Sequence, residues 1–354
     1  MRLSLPPALA GGEGGGVDPA GGLSGQTSGR RNPSPVPSRK GRGEAIAFFV
    51  FAIALHPAQA TEREVELPGR PASLRGTLSL PAGGHAGVPG VLLLGGSGPI
   101  DRNGNQPGML NGSLRKLADG MAQCGIATLR IDKRGIGASA AAGPEEEQLT
   151  FDTYVADAAD WLNFLRAQPR VRGVSALGHG EGGLVATRLA MRARLDRLVL
   201  IAAPGRRASV VLRDQLAAID MAPVLRQRTD ATIRALERGE TVDDPPKGMA
   251  ALFRPSVQPY LISWFKLDPR AELARVSVPT LVIQGATDLQ VSVADARLLA
   301  SARPGVRLDV VEGMNHVLRA APLARGANLA SYTSPELPLM AGLAQRVCGF
   351  VTTP

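Results

Sequence analysis

The sequence predicts an α/β protein with a mostly parallel central sheet, helices on both faces and a helical cap inserted late in the chain. Three observations predict it. From Thr61 onward, short apolar runs alternate with amphipathic segments of helix length, as in a sheet built from strand–helix–strand units. Several runs, such as Gly90–Leu94 and Leu198–Ile201, are apolar throughout, as strands buried on both faces must be. The rhythm breaks once, after Pro204, and resumes at Thr280.

Taken in order, two amphipathic strands open the domain at Glu62–Leu67 and Ala72–Leu80, followed by the buried run Gly90–Leu94 with glycines after it. A helix over Ser113–Gln123 leads to a strand at Ala127–Ile131. Phe151–Arg166 places Val155, Ala158, Leu162 and Leu165 on one stripe, the pattern of a helix packed on a sheet. Strand Val174–Leu177, helix Gly182–Arg194 and strand Leu198–Ile201 follow. The stretch from about 206 to 275 mixes helical patterns with Pro223, Pro245, Pro246 and the aromatic group Tyr260, Trp264 and Phe265, and is read as the cap. Strand Thr280–Ile283, helix Val293–Ser301, strand Val306–Val311 and a helix near Leu339–Phe350 complete the domain, 61–354. There is no internal repeat.

The chain has 354 residues, 44% hydrophobic and 20% charged, enough to bury one sizeable core. Its net charge of +9 raises the question of nucleic acid or an anionic membrane. Six basic and three acidic side chains fall in residues 1–60, and the remaining basic residues are scattered without aromatic partners, so no nucleic-acid partner is expected. Cys124 and Cys348 lack the paired spacing of a zinc site, and neither a metal nor a cofactor is expected.

Residues 1–38, rich in Gly, Pro, Ser and Ala, are read as a disordered extension. Arg39, Lys40 and Arg42, the apolar run Ala45–Leu55 and then Ala58-Gln59-Ala60 follow the order of a secretory signal over 39–60, with cleavage expected after Ala60. The run is short for a membrane span, so an exported periplasmic or secreted protein without stable membrane insertion is expected. A basic region so far from Met1 also predicts a translation start downstream of Met1.

The chemistry-bearing residues fall at strand ends. The turn Gly178-His179-Gly180-Glu181-Gly182-Gly183 joins an apolar strand to an amphipathic helix, the setting of a nucleophile elbow, Gly-x-Ser-x-Gly, with Gly180 where serine belongs. A glycine-rich turn alone would be an ordinary strand-to-helix loop, but Asp288 and His316 follow later strands in the chain order of an acid and a base. Beyond residue 60 the histidines are His85, His179 and His316, and of these His316 alone sits where a base belongs. Oxyanion donors are expected from the backbone of Glu181 and of Ser97, the latter in the loop Gly95-Gly96-Ser97-Gly98-Pro99. That loop lacks the Lys-Ser/Thr pair of a phosphate-binding loop.

Leu92–Asn105 (LLLGGSGPIDRNGN), Arg130–Ser139 (RIDKRGIGAS), Gly178–Gly183, Gly285–Val291 (GATDLQV) and Asn315-His316-Val317-Leu318 together resemble bacterial esterases of the α/β-hydrolase superfamily, related to the serine aminopeptidase group. The resemblance covers nearly all of 61–354. It implies the α/β-hydrolase fold, a small-molecule acyl ester or thioester as ligand, and hydrolysis through an acyl-enzyme with Asp288 and His316 in triad roles. A serine-aminopeptidase-like peptidase is the enzymatic alternative. It also implies a cap over the acyl pocket to which Tyr260 and Trp264 contribute, a packing role for His179 behind the turn, and loop-anchoring ion pairs at Arg102, Asp132 and Arg134. In this fold the helices carrying Cys124 and Cys348 share a face, so a disulfide is open to them, although buried free thiols are the favoured reading.

Glycine has no side chain with which to attack a carbonyl, so the acyl-enzyme route is closed as the sequence stands. Three readings follow: a non-catalytic ligand-binding relative of hydrolases, hydrolysis by another route with His316 activating water or Ser97 attacking, or a recent change in an ordinary esterase. The intact Asp288 and His316 favour a recent loss.

Overall fold

The computed structural model describes residues 60–69, 71–83 and 87–353. The expected disordered extension (1–38), all of the expected export segment except Ala60, and His85 lie outside the described residues.

Eight strands form one sheet in the order β1-β2-β4-β3-β5-β6-β7-β8. They are β1 (Thr61–Leu67), β2 (Leu74–Leu80), β3 (Val88–Leu94), β4 (Ala127–Ile131), β5 (Val171–His179), β6 (Leu198–Ile201), β7 (Thr280–Gly285) and β8 (Val306–Val311). The β1–β2 and β2–β4 pairs are antiparallel, and every pair from β4 to β8 is parallel. Helices α1 (Ser113–Gln123), α2 (Phe151–Arg166) and α3 (Glu181–Arg192) connect the early strands. Between β6 and β7 lie α4 (Ala208–Ala217), α5 (Pro223–Arg238), α6 (Ala250–Phe253), α7 (Gln258–Phe265) and α8 (Pro269–Ala274). The chain continues with α9 (Val293–Ala300), α10 (Arg325–Ala330) and α11 (Leu343–Val351).

The two-residue period of a strand divides the core. Val91, Leu93, Leu177, Val199, Ile201 and Ile283 face one layer, where they meet Leu117 and Met121 of α1 and Val347 and Phe350 of α11. Leu92, Leu94, Ala176, Leu198, Leu200 and Val282 face the other, against Val155 and Leu162 of α2 and Leu184 and Leu189 of α3. Burial on both faces is why these strands read as continuous apolar runs.

The boundaries differ where glycine or a polar face obscures the pattern. Strand β5 begins at Val171 rather than Val174, because exposed Arg172 and Gly173 interrupt the apolar run without ending the strand. Helix α11 begins at Leu343 rather than Leu339, after Gly342 at φ 76°. The favoured reading of Cys124 and Cys348 as free thiols is corrected: they form a disulfide with Cα atoms 6.2 Å apart. Neither cysteine's own segment indicates the pairing, since α1 and α11 meet only because the sheet brings them to one face.

Candidate functional site

The end of β5 and the start of α3 make a turn with no connecting loop. Gly180 sits between them at φ 56° and ψ −123°, a region disfavoured for residues with a β-carbon. Its N–H donates to the Ile201 carbonyl at 3.0 Å and its carbonyl accepts the N–H of Gly183 at 3.0 Å, so neighbouring backbone fixes the strained shape. Gly182 is required for a different reason: a Cβ there would lie 2.2 Å from the Leu94 carbonyl oxygen, so a larger residue would push α3 off β3.

A Cβ built on Gly180 would lie 3.7 Å from Nε2 of His316 and 3.5 Å from Cα of Gly96. The expected base therefore faces the expected nucleophile position. Nδ1 of His316 is 2.9 Å from Oδ2 of Asp288, whose carboxylate is fully buried. Since an ionised carboxylate only accepts, Nδ1 carries the proton, and in the neutral ring the lone pair is on Nε2. Burial alone would raise the Asp288 pKa, but the facing His316 and the N–H groups of Val291 and Gln290 outweigh it and hold the carboxyl below its ordinary value. Those amides donate to Oδ1 at 3.0 and 2.7 Å, and Nε2 of Gln284 donates to Oδ2 at 3.1 Å.

The His316 loop is held from two sides. His179 donates from Nε2 to the His316 carbonyl at 2.8 Å, and the two rings lie 4.7 Å apart. Burial first, then the neighbouring His316, lowers the His179 pKa to about 4, so His179 is neutral and serves as a bracket behind the turn. On the other side Asn315 donates to Asn328 at 3.2 Å and to Ser331 at 2.7 Å, while Asn328 reaches the Thr287 carbonyl at 2.8 Å. This buried polar network ties the base loop to the acid loop. The Asn328 and Ser331 members sit in α10 and the turn after it, which the sequence reading missed.

Glu181 opens α3, where position leaves its N–H without an intrahelical acceptor. Its carboxylate is buried and lies 3.6 Å from Nζ of Lys133. That same Nζ donates to the Gly96 carbonyl at 2.6 Å. The C=O and N–H of a trans peptide point in opposite directions, so holding the Gly96 carbonyl turns the N–H of Ser97 away from Lys133. Lys133 thus joins the two backbone segments expected to supply oxyanion donors, a role for which its own segment gives no signal. Its neighbours in the same motif anchor loops. Asp132 accepts the N–H groups of Arg102 at 2.7 Å and Ala138 at 2.9 Å, and Arg134 makes a two-pronged contact with Asp157 at 2.6 and 2.9 Å.

Two cavities meet at Ser97 and His316. The smaller, about 70 Å³, is walled by Gly180 and Glu181 on one side and by Val211, Leu252, Leu261, Trp264 and Phe265 of the β6–β7 segment on the other. The larger, about 320 Å³, includes Gln106, Asn111, Arg206, Arg325 and Tyr332. Trp264 lines the smaller cavity, whereas Tyr260, expected beside it, does not. Tyr260 is fully buried behind Trp264, their ring centroids 5.9 Å apart, and packs on Tyr154 and Phe151 of α2. Spacing explains this: Leu261, Trp264 and Phe265 share one face of α7, at steps of three and four, and that face meets the cavity.

The arrangement can polarise a carbonyl at backbone N–H groups and offer it an imidazole backed by a buried carboxylate. Residues 109–233 match the family model described as serine aminopeptidase, S33. The chain is 28% identical to esterase EstD of Thermotoga maritima over 266 residues, 74% of this chain, and it spans 61% of that relative's length. Among solved structures it resembles Est1E of Butyrivibrio proteoclasticus, in a complex with ferulic acid, at TM-score 0.54 and 14% identity, covering 77% of this chain and 96% of that one. It likewise resembles the Pyrococcus furiosus esterase Pf2001 at TM-score 0.53 and 16% identity, covering 82% and 92%. With its eight-stranded, mostly parallel sheet and the elbow at the end of β5, the chain has the α/β-hydrolase fold and is similar to esterases that share it.

Proposed function

We propose that this chain is an exported α/β-hydrolase whose cleft binds a carboxylic ester or thioester, and that Gly180 has removed the acyl-enzyme step while leaving the rest of the site in place. The observation that carries this reading is the 3.7 Å between His316 Nε2 and the position of a Cβ on Gly180. A serine hydroxyl there would reach hydrogen-bonding distance of the imidazole by rotation about χ1. His316 would take its proton as it attacked, Asp288 would stabilise the charged ring, and the amides of Glu181 and Ser97 would receive the oxyanion. Without the hydroxyl, comparable triads lose on the order of a millionfold in turnover. The chamber walled by Val211, Leu261, Trp264 and Phe265 suits the acyl group, and the larger cavity, with Gln106, Asn111 and Arg206 in its lining, suits the alcohol part.

Export is proposed from the charge, apolar run and Ala58-Gln59-Ala60 order, and the Cys124–Cys348 disulfide supports it, because such bonds persist in oxidising compartments. The 28% identity to an esterase favours esters over peptides as ligands.

The test compares the natural chain, Gly180→Ser, and Gly180→Ser with His316→Ala on short-chain p-nitrophenyl esters and on matched amides. The serine form is expected to hydrolyse the esters with a burst, and His316→Ala to abolish this. If the serine form, folded, hydrolyses neither ester nor amide, the ester-site reading fails; preference for amides would instead establish a peptidase.

A further inference from the structure

The vacancy at Gly180 is itself a structural feature. A Cβ placed there would make only ordinary contacts, the nearest being Gly96 Cα at 3.5 Å, His316 Nε2 at 3.7 Å and His316 Cε1 at 3.8 Å. The neighbours have therefore not closed over the missing side chain. Gly180 also lines the smaller cavity together with Ser97 and His316, so the open position is continuous with the space where an acyl carbon would rest. The base beside it is in place, because Asp288 holds the proton on Nδ1 and Nε2, which has the lone pair in the neutral ring, faces the opening.

We propose that this position seats a small hydroxylic nucleophile, water or an alcohol of methanol size, and that His316 drives its direct attack on the bound ester. The proposal rests on the ester-site reading above. As the nucleophile's oxygen bonds to the acyl carbon, its proton passes to Nε2 and the carbonyl electron pair moves onto oxygen, facing the N–H groups of Glu181 and Ser97. On collapse the carbon–oxygen bond to the alcohol breaks, and the departing oxygen takes the proton back from Nε2. Water yields the acid and the alcohol, methanol yields a methyl ester and the alcohol, and no bond to the protein forms. Glycine is essential to this route, since the methyl group of alanine would occupy the seat.

The test uses the full natural chain with p-nitrophenyl acetate, following p-nitrophenol release and methyl acetate formation as methanol is raised. Gly180→Ala, His316→Gln and Gly180→Ser are run alongside, each checked for folding by its melting transition. The natural chain is expected to act without a burst, at a rate above the background of roughly 10³- to 10⁴-fold over buffer that substrate binding and the oxyanion hole supply without a nucleophile. Methanol should give methyl acetate with saturating dependence, and both Gly180→Ala and His316→Gln should fall to that background. A folded Gly180→Ala that keeps the natural rate overturns the proposal, as does methyl acetate formation that rises linearly and is unchanged in His316→Gln. If Gly180→Ala does not fold, the methanol dependence of the natural chain against His316→Gln decides. Should Gly180→Ser turn over while the natural chain stays at that background, this inference alone falls; should neither act, the ester-site reading falls with it.

Discussion

At Gly180 the backbone is held at φ 56° by hydrogen bonds to Ile201 and Gly183, and a side chain added there strains a conformation that glycine adopts freely. Gly180→Ser is therefore expected to lower unfolding stability by about 1–3 kcal/mol while gaining hydrolysis, a trade measurable by urea denaturation of both forms. Lys133 acts through the Gly96 carbonyl. In the Gly180→Ser background, Lys133→Met is expected to lower kcat about 10- to 100-fold with KM nearly unchanged, less than the roughly 10²- to 10³-fold cost of deleting an oxyanion donor outright. A parallel rise in KM would instead mean that Lys133 shapes ground-state binding. His179 gives a pH signature. Its pKa is near 4 in the folded chain against an ordinary 6.5, so between these values the unfolded chain binds a proton that the native one does not. Its contribution is complete above pH 6.5 and is lost as pH falls toward 4. His179→Gln should flatten that slope in urea titrations at pH 7.5, 6 and 5; an unchanged slope would reject this role.

Among the elements, β4, β6 and β8 begin and end where the sequence placed them, β6 as an unbroken apolar run buried on both faces, β4 and β8 despite the polar residues inside them. Helices α1 and α2 were equally clear, as each carries a continuous apolar stripe. Helix α10 was not, because it spans six residues and its first turn follows Ala324 with no side-chain cap, so it lacks both the length and the capping signal that mark a helix. Helix α7 was legible as an aromatic group, but which aromatic meets the cavity depends on how the helix is rolled against α2. Trp264→Ala in the serine background is expected to raise KM for short acyl esters with a smaller effect on kcat, and Tyr260→Phe to leave both nearly unchanged; steady-state kinetics separates them. The disulfide joins α1 to α11 across 224 residues of chain. Reducing it is expected to cost about 2–5 kcal/mol, seen as a lower melting temperature with reductant and no further change in Cys348→Ser.

For the molecule as a whole, the export reading makes one prediction that activity does not touch: N-terminal sequencing of the processed protein is expected to start at Thr61, and a retained segment 39–60 would overturn it. The α/β class, the element order and the chain order of elbow, acid and base were determined by the sequence itself, because each is written in a short window: a period of two or of 3.6, or a turn at a strand end. The absence of a hydroxyl at position 180 is equally a sequence fact. The tertiary structure decided the rest. It set Lys133 on the Gly96 carbonyl 37 residues away, His179 on the His316 carbonyl 137 residues away, Cys124 on Cys348, and Tyr260 behind Trp264. Each of these joins segments that meet only once the strands are laid in the order β1-β2-β4-β3-β5-β6-β7-β8 and the helices are rolled onto them. A local pattern specifies which face of an element is buried, whereas its neighbour across that face is fixed by packing over the whole chain.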